Sequence, residues 1–245
     1  MTEKLLNSTA EKKQWFDENY QDIQKRVENA IKNRKHNNGE VILLAATKTV
    51  EAEVINHAIN NGINFIGENR VQELCSKYEY LEPSVHKHFI GHLQTNKVKY
   101  IIDKVEMIES VDSIKLAKEI AKQCKKINKN MDILLEVNIG NEESKSGFSP
   151  DNLISAVQEI SKIDGVSVKG IMAIPPICEK TDEIREYFRK LYKLFIDIRG
   201  KNIDNNSMIY LSMGMSSDFD IAIEEGANIV RIGTSLFGRR NYNNI

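Results

Sequence analysis

Short apolar runs alternate along this chain with longer stretches in which apolar residues recur every three or four positions. The runs Val41–Thr47, Asn64–Glu68, Lys87–His92, Glu106–Val111, Met131–Ile139, Val166–Ala173, Met208–Ser212 and Ile229–Ile232 read as eight strands. Helical patterns fill the intervals at Glu51–Asn60, Val71–Leu81, Asn96–Ile102, from Asp112 or Ser113 through Ile127, after Ser149-Pro150-Asp151, at Thr181–Ile198 and at Asp218–Glu225. The punctuation agrees: Asn61-Gly62 and Gly226 are C-terminal stops, and Ser149 with Pro150 is a favoured start. Strands that alternate with helices predict a parallel sheet, and eight such units predict closure into a single-domain (β/α)8 TIM barrel of the α/β class. An open doubly wound sheet with fewer strands is the alternative. Ahead of the first strand, Phe16, Tyr20, Ile23, Val27 and Ile31 mark an extra amphipathic helix within 3–36, expected under the bottom or along the side of the barrel. The domain reading is one unit over 1–245, with a helical segment at 1–40 and the barrel at 41–238.

Composition narrows the function classes. With 245 residues, 41% apolar, 28% charged and a formal net charge of -1, the chain has no domain-wide positive field to attract nucleic acid. The lysine-dense run at 122–129 ends a predicted helix, where cations complement the dipole. No apolar stretch reaches the ~18 residues of a membrane span, and Met1–Asn7 has no signal-peptide core. Cys75, Cys124 and Cys178 form neither a CxxC pair nor a disulfide framework. These features predict a cytoplasmic protein with reduced thiols and no nucleic-acid or membrane partner.

The candidate chemistry lies at the carboxyl ends of the strands, where barrels of this kind keep their active groups. If Ile42, Leu44 and Ala46 face inward, strand alternation turns Lys48 inward as well, with small Ala46 leaving room below it. Burial and nearby cations would lower the pKa of such an amine and free it to attack a carbonyl. The loop after strand seven, Ser212-Met213-Gly214-Met215-Ser216-Ser217, and the end of strand eight, Arg231-Ile232-Gly233-Thr234, look like a phosphate cradle. Gly214 permits close backbone approach, Gly233 and Thr234 offer N–H and hydroxyl donors, and Arg231 points into the mouth. Plain helix capping and turn formation would use the same residues. His86, His88 and His92 find no carboxylate at a known ligand spacing, so no metal site is expected. Glu136 and Asn138 alternate inward on strand five, either lining the pocket or, for Glu136, pairing with a lysine; Glu109 and Asp132 read as structural.

Several motifs together resemble the pyridoxal phosphate (PLP) homeostasis family, also called YggS/PROSC. They are Ala46-Thr-Lys48, Phe65-Ile-Gly-Glu-Asn-Arg70 with Val71-Gln-Glu73, His88-Phe-Ile-Gly-His-Leu-Gln-Thr-Asn-Lys97, Glu136-Val-Asn138, Lys145-Ser-Gly-Phe148, Gly170-Ile-Met-Ala-Ile-Pro175, Leu211-Ser-Met-Gly-Met-Ser216 and Val230-Arg-Ile-Gly-Thr-Ser235. The resemblance covers nearly the whole chain. It implies a fold like the barrel domain of alanine racemase (PLP fold type III), with Lys48 carrying pyridoxal 5'-phosphate as an internal aldimine. It also implies Arg231 facing the pyridine nitrogen, Ser212, Gly233 and Thr234 at the phosphate, and Asn69 lining the pocket. Gly214 and Met172 complete the expected cofactor-binding set. Two departures are Arg70 where the family often has tyrosine and Thr47 where it often has serine.

Three functions compete on this reading. The first is a non-catalytic PLP carrier in vitamin B6 homeostasis, a monomer that serves apo forms of PLP-dependent enzymes. The second is an amino-acid racemase, whose chemistry needs an acid/base group on each face of the cofactor. The third is a Schiff-base aldolase, for which Glu136 is the tempting acid/base. A permanently charged guanidinium at the ring nitrogen makes the cofactor a poor electron sink and favours the carrier.

Overall fold

Eight parallel strands close on one another in chain order, β1 pairing with both β2 and β8. In this computed structural model, residues 6, 8–201, 203 and 206–238 are described. The strands are β1 Ile42–Ala46, β2 Phe65–Glu68, β3 His86–Phe89, β4 Met107–Val111, β5 Met131–Glu136, β6 Val166–Met172, β7 Asn206–Ser212 and β8 Ile229–Ile232. The helices are α1 Thr9–Asn33, α2 Ala52–Asn60, α3 Val71–Lys77, α4 Ile114–Lys125, α5 Pro150–Ile160, α6 Thr181–Arg199, α7 Phe219–Glu224 and α8 Thr234–Phe237. The closed barrel is the architecture predicted from the alternation; the open sheet is not formed.

Two-residue periodicity sorts each strand into an inner and an outer face. Leu44, Ala46, Ile90, Met107, Leu134, Met172 and Ile229 fill the barrel interior, with Ile42, Phe65 and Tyr210 packed against them. Ala45, Ile66, Phe89, Ile108, Ile133, Leu135, Ile171, Val230 and Ile232 face outward into the main core under the helices. The register shifts at the β5–β6 and β6–β7 pairs. At the latter, a side chain on Gly170 would put Cβ 1.8 Å from the Tyr210 carbonyl, so the bulge admits only glycine.

The N-terminal helix lies along the side of the barrel and not under its bottom. A capping box starts it: Ser8 Oγ accepts from the Glu11 N–H (3.2 Å) and Glu11 accepts from the Ser8 N–H (3.1 Å). Phe16, Tyr20, Ile23 and Ala30 are buried, and α1 packs on α2, α7 and α8, the helices flanking the β8–β1 seam. Phe16 stacks on Tyr20 (centroids 4.9 Å apart) and on Phe237 (6.1 Å). Lys12 pairs with Glu51 (2.6 Å) and Arg26 with Asp220 (2.9 Å), tying the helix to both sides of the seam.

Several element ends depart from the sequence reading. Strand five stops at Glu136 and not at Ile139, because Asn138 turns the chain. Its amide donates to the Glu142 and Lys145 carbonyls and accepts from the Glu142 N–H. Strand three ends at Phe89 and strand seven starts two residues early, at Asn206. The third helix breaks into α3 and a 3-10 turn at Tyr78–Tyr80, and the segment predicted at Asn96–Ile102 is a 3-10 turn at Thr95–Tyr100. Helix α8 has no counterpart among the predicted elements. No helix among the described residues is long and apolar enough to cross a membrane.

Phe16 is fully buried at the seam, so Phe16→Ala should cost about 3–5 kcal/mol. The check is the urea midpoint followed by circular dichroism.

Candidate functional site

Lys48 lines the mouth of the barrel with Ala46, as predicted, although β1 ends at Ala46 and Lys48 stands in the turn that follows. A cavity of about 460 Å³ opens there, walled by Lys48, Asn69, Ile90, Arg231, Gly233 and Thr234, with Ser216, Ser217 and Ser235 at one end. That volume is in the range of ligand pockets, about 300–1,000 Å³. Lys48 makes no hydrogen bond or ion pair with any described residue. Asn69 lines the same cavity, and its buried Oδ1 has no partner among the described residues. A free amine in a cavity is a group that a ligand would complete.

At the serine end, the backbone N–H groups of Gly233 and Ser235 both donate to Ser216 Oγ, at 3.3 and 3.2 Å. Two N–H groups converging on one oxygen is the geometry of an anion nest, and the same donors suit a phosphate oxygen. Ser235 Oγ donates to the Ser216 carbonyl (3.4 Å), locking the strand-seven loop to α8. Trp15 and Asn19 of α1 also line this end, and the Trp15 indole N–H donates to the Ser235 carbonyl (3.2 Å). Sequence reasoning missed both residues. Trp15 beside buried Phe16 reads as an ordinary helix-face residue, and its contact spans 220 positions of chain.

Below the cavity, Arg231 is buried and held from two sides. It donates to Ser212 Oγ (2.6 Å) and to the Ala173 carbonyl (3.0 Å). Ser212 Oγ donates in turn to Glu109 Oε2 (2.6 Å), and Glu109 Oε1 lies 2.7 Å from His88 Nδ1. Burial pushes the Glu109 carboxyl up. The His88 hydrogen bond, the nearby His88 and Arg231 and the Ser212 hydroxyl outweigh that and hold it below the usual carboxylate range. An ionised carboxylate only accepts, so His88 Nδ1 carries the proton it shares. Burial lowers the Arg231 pKa against the pull of Glu109, Glu136 and Asp218, yet a guanidinium stays charged.

The expected cofactor set divides accordingly. Lys48, Asn69, Arg231, Gly233 and Thr234 meet at the cavity. Ser212 does not line it: fully buried, its hydroxyl is committed to Arg231 and Glu109. Met172 lies in the interior layer with Leu44, Leu134 and Ile229. Gly214 folds the loop, at φ +93, where a Cβ would fall 2.5 Å from Ala222 Cβ; its carbonyl accepts the Arg231 N–H. It borders a smaller hollow of about 280 Å³ under Pro175–Thr181. Glu136 pairs with no lysine among the described residues. Burial and Asp112 raise its pKa against Arg231 and His92. Among the described residues, no group of three His, Cys, Asp or Glu side chains is arranged to hold a metal.

Known proteins resemble this chain over most of its length. The family described as "Alanine racemase, N-terminal domain" matches residues 16–241. The chain is 46% identical to the pyridoxal phosphate homeostasis protein of Aquifex aeolicus over 90% of this chain and 96% of that one. It is 35% identical to the protein of the same name from Haemophilus influenzae, over 90% and 94%. The structure of PipY from Synechococcus elongatus with PLP bound aligns with a TM-score of 0.74 at 30% identity, over 81% of this chain and 92% of that one. Alanine racemase of Clostridium difficile shares the fold alone, with a TM-score of 0.65 at 16% identity; the alignment spans 89% of this chain but 56% of that one.

Removing the buried carboxylate leaves a buried cation uncompensated. Glu109→Ala should therefore lose about 3–5 kcal/mol at neutral pH. Because the folded pKa of Glu109 lies below the unfolded one, its contribution is complete above about pH 4.3 and vanishes as pH falls through the folded value. Urea midpoints across a pH series should show the gap between native and variant closing in acid.

Proposed function

The chain belongs to the pyridoxal phosphate homeostasis protein family, and from that membership we propose that it binds PLP in the barrel mouth with Lys48 as covalent anchor. On this reading it is a non-catalytic carrier that buffers the cofactor in the cytoplasm and supplies apo-enzymes. One observation carries the proposal: an unpartnered lysine amine shares a cavity with a nest of backbone N–H groups and a buried arginine. When bound, PLP supplies an aldehyde that condenses with a primary amine, with loss of water.

The residues divide the remaining work. The Gly233 and Ser235 N–H groups would hold the phosphate once Ser216 Oγ, which they now bond, gives way to it, with the Thr234 hydroxyl beside them. Arg231 would face the ring nitrogen, and because a guanidinium only donates it would keep that nitrogen an unprotonated acceptor. Carbanion stabilisation is weak under those conditions, which supports carriage over racemisation. The free thiols of Cys75, Cys124 and Cys178 suit a reducing compartment.

Borohydride treatment of protein mixed with PLP, followed by peptide mass mapping, should place one pyridoxyl group on Lys48 and none there in Lys48→Ala. Scattered labelling of surface lysines would overturn the anchor assignment. Rapid α-proton exchange of amino acids by the loaded protein would overturn the carrier reading. Trp15 is the chain's one tryptophan and lines the cavity. Its fluorescence should fall on PLP binding and saturate with the adduct.

A further inference from the structure

The residues on either side of Lys48 are pinned by side chains that never reach the cavity. On one side, Thr47 Oγ1 donates to Glu68 Oε1 (2.7 Å), and the Thr47 carbonyl accepts from Lys77 Nζ (3.0 Å). Lys77 Nζ also reaches Glu68 Oε1 (2.9 Å). On the other side, Thr49 adopts φ +62, the left-handed region that a β-branched residue avoids. Its N–H donates to Glu73 Oε2 at 2.7 Å. Glu73 faces Lys77 and Arg70, each at 3.7 Å, and its place one turn before Lys77 on α3 puts both side chains on one face.

We propose that Glu73 is a positioning residue: by holding the Thr49 N–H it keeps the strained turn that delivers the Lys48 amine into the cavity. Val50 is buried and its N–H donates to the Thr47 carbonyl (3.0 Å), so the downstream end of the turn is fixed. Relaxation of Thr49 to negative φ would therefore move the peptide that carries Lys48. A carboxylate is the strongest class of acceptor for a backbone N–H, and that bond offsets backbone strain of this kind. Neither Glu73 nor Lys77 lines the cavity, so the effect passes through the backbone. The motif Val71-Gln-Glu73, unexplained by the cofactor contacts, thereby acquires a role.

The proposal rests on the PLP reading, and its test separates the two. Full-length native protein, Glu73→Ala, Glu73→Gln, Thr49→Gly and the double variant E73A/T49G are compared at sub-saturating PLP by Lys48 adduct yield after borohydride. Glu73→Ala should lower the apparent affinity about tenfold, equivalent to about 1.4 kcal/mol. Glu73→Gln keeps an acceptor oxygen and should retain most of the yield. Glycine takes positive φ without help, so Thr49→Gly should restore the double variant to within about twofold of native. In the cofactor-free proteins, amide exchange over 47–50 should speed up in Glu73→Ala and slow again in Glu73→Gln. A native adduct that Glu73→Ala leaves unchanged, or a loss that Thr49→Gly does not restore, overturns this proposal alone. Native protein without a Lys48 adduct overturns the cofactor reading and this proposal with it.

Discussion

A charge buried on the barrel axis organises the site. Arg231 stands on β8 in the interior below the mouth, and a guanidinium there is tolerable only if its donors and its charge are both answered. Ser212 on β7, the Ala173 carbonyl after β6 and Glu109 on β4 answer them, and His88 on β3 completes the chain. Every hydrogen in that chain has a set direction, because the arginine only donates and the carboxylate only accepts. The arginine presents the same face to the cavity in consequence, and five strands are coupled to one point.

Around this fixed floor the mouth is assembled from segments far apart in the chain. Lys48 comes from the turn after the first strand, the two converging N–H groups from the start of α8, and the serine that accepts from them from the loop after β7. The N-terminal helix secures their junction. It bridges the β8–β1 seam through Phe16 and bonds the α8 turn through Trp15. A helix that reads as an accessory from its sequence therefore supplies part of the serine-lined end of the cavity.

Much of this is legible in the residues. Alternation puts Arg231 inward on strand eight, because a barrel strand has only two faces; Lys48 and Gly233 lie just past the ends of β1 and β8, and the turns there carry them to the cavity. Ser212 is legible as an interior residue but not in its role. Its neighbour across the barrel, Glu109, lies 103 positions earlier, and nothing local announces that a serine hydroxyl will be used up there. The pattern overruns strand five for a similar reason: Asn138 continues the inward alternation, yet its side chain bonds a loop several residues on and ends the strand.

The features readable from the chain alone are those governed by short-range rules: the alternation of elements, the inner and outer face of each strand, most helix caps, and the lysine and arginine at strand ends. Pleat, helix period and capping chemistry act within a few residues, so a local pattern is enough to specify them. Which polar groups answer one another emerged only with the closed barrel: Glu109 for Arg231, Glu73 for Thr49, Trp15 for Ser235. Closure brings distant strands and their flanking helices to hydrogen-bond distance, and no local pattern encodes which distant group will stand opposite.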